Sequence, residues 1–195
     1  MGHFMLKNLE SWDVSAFYFI NQKLHHPFLD LLMKILSSNY FWIFTSLALL
    51  GFSMFKNLQV TKKYLLVFSI SMILTDTISF RILKPLFSRK RPCHQLDHVL
   101  LVADSCGSLN GFPSNHAANG MGLATTAFLV SKNPLSLVMF PIAFIVGYTR
   151  IYLGVHFPAD IFFGFLLGAL SGVFIWFTMP RLQNLYRLKF PTQIK

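Results

Sequence analysis

The sequence predicts an all-α, polytopic membrane helix bundle with five, alternatively six, transmembrane helices and N-terminal interfacial helices ahead of them. Three observations carry that expectation. Of 195 residues, 54% are hydrophobic and 12% charged, where soluble domains carry roughly 25% charged residues. Phenylalanine alone occurs 22 times. The apolar residues are gathered into long runs, as helices crossing a hydrocarbon layer require. The net charge of +10 sits at the flanks of those runs, so it speaks for topology and anionic headgroups. No recognition module or aromatic–basic groove supports a nucleic-acid partner.

Residues 1–38 come first and are too polar to span comfortably, since Asn21, Gln22, Lys23 and Lys34 interrupt them. Two amphipathic helices lying in the interface and split near Pro27 are expected, with a sixth, shorter crossing as the alternative. The first apolar run, Val14–Ile20, lacks a basic leader and a small-residue cleavage site, so it is expected to be retained. Five apolar segments follow: Tyr40–Phe55, Tyr64–Leu83, Ala117–Val130, Leu135–Tyr148 and Phe157–Met179. The third and fourth fall short of the roughly 17–25 residues a span needs, so each should extend into its flanks or meet a thinned bilayer. No internal repeat appears. The chain reads as one membrane-embedded domain over 1–195, with 84–116 as its long outer-face loop.

Charge sets the orientation. With five spans, one side collects Lys56, Lys62, Lys63, Lys132, Arg181, Arg187, Lys189 and Lys195 without an acid. By the positive-inside rule that side is cytoplasmic. Six of the seven acids lie on the opposite side or at its boundary, and the seventh, Asp76, lies within the second span. The outer side therefore owns loop 84–116. Both cysteines, Cys93 and Cys106, fall in that loop. A disulfide there would stabilise by roughly 3 kcal/mol in the chain-entropy model, and two free thiols are the alternative.

Three clusters share the outer face. Lys84 and the run Arg89-Lys90-Arg91-Pro92 close the second span. Pro113-Ser114-Asn115-His116 opens the third, where Ser114 is a helix-capping residue type. Thr149-Arg150 leads through His156 to Asp160, between the fourth and fifth. Lys84, Arg91 and Arg150 supply three positive charges, and the third helix adds free N–H groups and the positive end of its dipole. Together these suit a phosphate dianion. His156 and Asp160 are four apart, so on a helix the carboxylate holds one imidazole nitrogen and leaves the other free to attack.

The patterns Lys84-x6-Arg91-Pro92, Pro113-Ser114-x-His116 and Arg150-x5-His156-x3-Asp160 resemble those of the type 2 phosphatidic acid phosphatase (PAP2) superfamily of integral membrane lipid phosphatases. The resemblance covers about Lys84–Met179, half the chain. It implies a metal-independent phosphatase without cofactor, in a bacterial inner membrane with the site facing the periplasm. His156 is then the nucleophile, Asp160 its orienting acid and His116 the general acid. Lys84, Arg91, Ser114, Asn115 and Arg150 bind the phosphate. The implied partners are the membrane and a lipid phosphate or diphosphate, with undecaprenyl diphosphate and lipid A phosphate ranked first. Phosphatidylglycerol phosphate, phosphatidic acid and phosphotransfer to a lipid hydroxyl stand as alternatives. No obligate protein partner is evident. Two positions depart from the family pattern: Asn115 stands where Gly is common, and Thr149 where Ser is.

Other charged residues read more plainly. Arg89 and Lys90 are expected as headgroup or loop charges, Arg81 as a snorkelling residue, and His25, His26, His94 and His98 as ordinary polar residues. Asp76 lies about 12 Å along the helix from Lys84, too deep for the phosphate clamp, so a structural hydrogen bond or buried pair inside the bundle is expected, with a substrate-channel role as the alternative. A non-catalytic transporter is the competing class. It lacks the internal repeats and broken helices such proteins tend to show.

Overall fold

Hydrocarbon offers no partner for a peptide group, so a spanning chain must satisfy its backbone internally. Every regular element among the described residues is accordingly a helix. The computed structural model describes residues 2–44, 47, 51, 58–131 and 134–189. The only extended pairing among them is an isolated antiparallel bridge between Lys90 and Asn110.

Helix α1 (Gly2–Tyr18) runs on through a π-helical stretch, Phe19–Lys23, in which Asn21 is buried. The chain restarts as α2 (Pro27–Ser37). Pro27 occupies the first turn, where its missing N–H costs nothing, and His26 Nδ1 accepts from the Phe28 N–H at 3.2 Å. The break expected near Pro27 therefore falls just before it. Residues 39–44 are helical, but most of the expected first crossing, Tyr40–Phe55, lies outside the described residues. Helix α3 (Leu58–Asp76) continues through a second π-helical stretch, Thr77–Leu83, into Lys84–Phe87. A short helix α4 (Pro92–Gln95) follows, then the loop to α5 (Asn115–Ser131). A 3-10 turn, Pro134–Val138, leads into α6 (Met139–Tyr152), and α7 (Pro158–Lys189) closes the fold.

Three segments among the described residues are long and apolar enough to cross a membrane: Leu65–Phe87, Pro134–Tyr152 and Pro158–Met179. They correspond to the second, fourth and fifth expected spans, and the fourth does extend into its flanks. The third expected span is α5, 17 residues long. Its composition explains its place. Ala117, Ala118, Ala124 and Ala127 are buried, because α5 is packed by α7, α6 and α3 rather than by lipid. Gly164, Gly168 and Gly172 recur every fourth residue on one side of α7, against α5. A Cβ on Gly168 would stand 2.2 Å from the Ala118 carbonyl oxygen and 2.7 Å from the Gly122 nitrogen. The lipid-facing surfaces carry large exposed side chains instead, among them Ile73, Phe162, Leu170 and Phe174.

The N-terminal segment packs on the end of the bundle that carries loop 84–116. Phe17 joins Ala117, Ile151, Phe157 and Ile161 in one buried cluster, and Met33 joins Tyr152, Leu153 and Val155 in another. Asn21 ties the same region together: its amide donates to the carbonyls of Leu100 and Tyr152, both at 2.8 Å, and its Oδ1 accepts from Leu100 N–H at 2.9 Å. Between α6 and α7 the chain turns through Gly154 at φ +85, where the Leu100 carbonyl stands only 2.8 Å from the place of a Cβ. That turn delivers His156 to the foot of α7.

Candidate active site

His156 and Asp160 are almost wholly buried, at 2% and 0% exposure. Pro158 starts α7 and Asp160 lies in its first turn, where a carboxylate is favoured by the helix dipole. Asp160 Oδ2 lies 3.3 Å from His156 Nδ1 and accepts from the Phe157 N–H at 3.0 Å. The other ring nitrogen, Nε2, lies 3.1 Å from Arg91 Nη1. A guanidinium can only donate, so this contact requires a lone pair on Nε2. The proton then sits on Nδ1 and is given to Asp160. The geometry thus selects the tautomer whose free lone pair points toward the cations.

Burial holds His156 well below the ordinary histidine range, and Arg91, Arg150, Lys84 and Arg89 push it further down. The ring is therefore neutral at pH 7. An unfolded histidine takes up a proton near pH 6.5, so on acidification the unfolded chain gains a proton that His156 refuses. Its contribution to stability is full above that value and is lost as pH falls below it. Nitrogen-15 NMR of histidine-labelled protein should show His156 unprotonated at Nε2 from pH 8 down to pH 5. A midpoint near 6.5 would overturn the assignment.

Arg89 completes the support. Its guanidinium donates to Asp160 Oδ1 at 2.9 Å and to Asp13 Oδ2 at 2.5 Å, and lies 4.2 Å from the centre of the Phe157 ring. Asp13 Oδ1 in turn accepts from the Ala159 N–H at 2.8 Å. The expectation of a headgroup or loop charge at Arg89 is corrected here, because two buried carboxylates draw it inward. Local spacing could not show this, since the partners lie 71 and 76 residues away. The signal available was the need of a buried Asp160 for a cation.

Lys84 is 6% exposed and donates to the carbonyls of Pro113, Gly111 and Asn110 at 2.9, 3.2 and 3.4 Å. It pins the turn that leads into α5. Arg91 is held from the loop: Nε donates to the Ser108 carbonyl at 2.7 Å and Nη1 to the Val155 carbonyl at 3.3 Å. The structure joins Cys93 to Cys106, with Cα atoms 6.0 Å apart. That link brackets the Arg91–Ser108 contact from two residues away on each side. Arg150 donates from Nη1 to Ser37 Oγ on α2. Thr149 is buried and its hydroxyl goes to the Val146 carbonyl at 2.7 Å.

Two buried side-chain atoms among the described residues have no partner at all: Ser114 Oγ and Arg150 Nε. Buried polar atoms are nearly always paired. The capping role expected of Ser114 is corrected, since its hydroxyl caps nothing. Its backbone does the anchoring: Ser114 N–H donates to the Asp160 carbonyl, and its own carbonyl accepts from Ala118 N–H, both at 3.0 Å. His116 follows in the first turn of α5, half-buried, with Arg150, His156, Arg91 and Lys84 in electrostatic range. The three sequence clusters are thus brought to one place.

The Asn115 side chain is engaged away from the phosphate-binding cations. Its Nδ2 donates to Asp76 Oδ1 at 2.8 Å and its Oδ1 accepts from Ser79 Oγ at 2.9 Å. The side chain is committed to α3, and only its backbone N–H remains for an anion. Asp76 also accepts from Asn119 Nδ2 at 3.0 Å, and Thr75 donates to Asn119 Oδ1. The hydrogen bond expected of Asp76 is therefore one that fastens the first turn of α5. Asp76→Ala leaves two half-buried amides without their acceptor, at about 1 kcal/mol each. A lower unfolding temperature is expected, together with a disturbed start of α5. An unchanged unfolding temperature would show the network to be idle.

Three further histidines make local contacts. His25 Nε2 lies 2.9 Å from Asp30, His26 caps α2, and His94 Nε2 lies 3.3 Å from the Gly107 carbonyl.

The chain is similar to known proteins along most of its length. The profile of the PAP2 superfamily matches residues 61–184. The chain is 32% identical over 158 residues to a lipid A 4'-phosphatase of Porphyromonas gingivalis, covering 77% of this chain and 66% of that protein. It therefore spans slightly less than two thirds of that relative's length. It is 31% identical over 185 residues to a lipid A 4'-phosphatase of Bacteroides thetaiotaomicron, covering 91% of this chain and 81% of that one. Among solved structures, LpxE of Aquifex aeolicus superposes with a TM-score of 0.62 at 30% identity, over 83% of this chain and 93% of that one.

Proposed function

The chain belongs to the PAP2 superfamily of membrane lipid phosphatases, and from that premise we propose that it removes a phosphate from a lipid A-type phosphorylated glycolipid at the periplasmic face of a bacterial inner membrane. The observation that carries this reading is the pair of buried orphan donors, Ser114 Oγ and Arg150 Nε, together with the unprotonated Nε2 of His156 facing Arg91. A phosphate oxygen is the partner that two unsatisfied donors and a neutral imidazole have in common. Two relatives that carry the name lipid A 4'-phosphatase support the choice of substrate over undecaprenyl diphosphate.

The chemistry follows from those positions. The phosphate displaces Arg91 from Nε2 as the guanidinium turns to its oxygens, and Ser114, Arg150 and the first amides of α5 take the rest. Lys84 contributes charge from behind the turn it pins. His156 Nε2 attacks phosphorus in line and the bond to the lipid oxygen breaks. His116, whose pKa burial and Arg150 hold down to about 3 until the phosphate offsets the surrounding cations, takes up a proton as the substrate binds and gives it to that oxygen. The imidazolium formed on phosphorylation keeps its Nδ1 proton on Asp160, whose charge Arg89 and Phe157 N–H hold in place. Water, deprotonated by His116, then cleaves the phosphorus–nitrogen bond and restores the enzyme.

The test is phosphate release by protein in lipid nanodiscs from lipid A, undecaprenyl diphosphate and phosphatidic acid, with chelator throughout. Lipid A is expected to turn over fastest, and a brief acid-free quench should retain label from lipid A phosphate on histidine. Absence of turnover on all three would sink the reading, and preference for undecaprenyl diphosphate would replace its substrate.

A further inference from the structure

Beside the phosphate site lies an open cavity of about 280 Å³, lined by His25, Asp30 and Lys34 and by Leu100, Leu101 and Val102 of the loop. None of its three polar residues has a place in the chemistry above. Asp30 is held rigidly: Tyr152 donates its hydroxyl to Oδ1 at 2.7 Å, and His25 Nε2 lies 2.9 Å from Oδ2. Lys34 is held loosely. Its ammonium reaches Asp104 at 3.6 Å, and that carboxylate is 98% exposed. Such a surface pair is worth about 1 kcal/mol at most and yields to a competing anion.

The cavity is joined to the clamp by one helix face. Asp30, Lys34 and Ser37 follow each other at steps of four and three on α2, so they lie on one side of it. Ser37 is the residue that receives the Arg150 guanidinium. From Ser37 to Asp30 the helix rises about 10 Å. A molecule whose phosphate rests on Arg150 therefore meets, within about 10 Å, an available ammonium and a fixed carboxylate–imidazole pair. Those groups match a headgroup with hydroxyls and a second anionic substituent. A polyprenyl diphosphate carries no hydroxylated headgroup to place there.

We propose that this cavity is a headgroup subsite for the sugar portion of a glycolipid substrate. Lys34 pairs with a second phosphate on the sugar, and Asp30 with His25 takes its hydroxyls. The subsite rests on the reading of the chain as a glycolipid phosphatase and adds to it a reason for the preference.

Two measurements test it on the full chain in nanodiscs. In the first, Lys34→Ala should raise KM about tenfold for bisphosphorylated lipid A with kcat unchanged. It should leave phosphatidic acid hydrolysis alone, and Lys34→Arg should restore KM. Equal effects on both lipids, or none, overturn the subsite. In the second, an acyl-free glucosamine disaccharide bisphosphate is titrated calorimetrically into wild type and Lys34→Ala. Weaker binding by the variant is expected, and a wild type that does not bind the disaccharide overturns the subsite. A wild type that binds it through Lys34 yet releases phosphate from no lipid overturns the phosphatase reading alone.

Discussion

Replacing His156 by alanine is expected to lower phosphate release about 10,000-fold, which corresponds to roughly 5.5 kcal/mol of transition-state stabilisation. The loss should fall on kcat, because Ser114, Arg150 and the α5 amides still hold the substrate. The fold should survive the change. Asp160 keeps the Phe157 N–H on one oxygen and Arg89 on the other, so no carboxylate is left stranded. Removing a nucleophile differs in kind from removing a donor. Loss of one oxyanion donor costs about 100- to 1,000-fold, so Ser114→Ala should remain measurably active where His156→Ala does not. Phosphate release by His156→Ala within tenfold of wild type would remove this residue from the reaction.

The largest structural effect is expected at Gly168, far from the charged groups. Valine there places carbon where the Ala118 carbonyl oxygen and the Gly122 nitrogen already are, at 2.2 and 2.7 Å. Both contacts are backbone, so no side chain can swing aside. The helices α5 and α7 must separate, at about 3 kcal/mol or more, and the separation moves Ser114 and His116 away from Asp160. Thermal unfolding in detergent should show a transition at least several degrees lower, with activity lost in parallel. Gly51→Ala serves as the control, because nothing among the described residues lies within 4 Å of its would-be Cβ. Equal stability of Gly168→Val and wild type would mean that the two helices are not packed as described.

The parts of this molecule that local chemistry determines could be read in the sequence. Apolar run length located three spans, and Pro27 marked the break between the first two helices. The three clusters of basic, hydroxyl and imidazole groups stood out because their spacing is short. What escaped depends on pairs separated by most of the chain. Arg89 finds Asp160 and Asp13, and Asn21 finds Tyr152 131 residues on. Neither signal exists until the helices are packed. Ser114 was misread for a related reason. A serine before a helix is a good cap by type, but the capping preference is a local average. Here its hydroxyl lies in a buried place with no partner. Asn115 likewise offered a donor by type, and Asp76 on a neighbouring helix had the stronger claim on it.

Asp13 holds a different lesson, about where the working unit begins. One of its oxygens takes Arg89 and the other the Ala159 N–H in the first turn of α7. The charge network around His156 therefore ends on the first helix of the chain. The region that matches the family profile starts only at residue 61. A protein shortened to that region would retain Lys84, Arg91, His116, Arg150, His156 and Asp160, the whole set of chemical groups. It would lack the acid that balances Arg89, so a cation with one carboxylate fewer would lean on Asp160 and loosen its hold on the imidazole. A truncation series should therefore find that the shortest active protein begins well before residue 61, and full activity of a chain starting at residue 61 would show Asp13 to be dispensable. The N-terminal helix acts as a distant counter-ion arm, which the family profile leaves out and the same series would test.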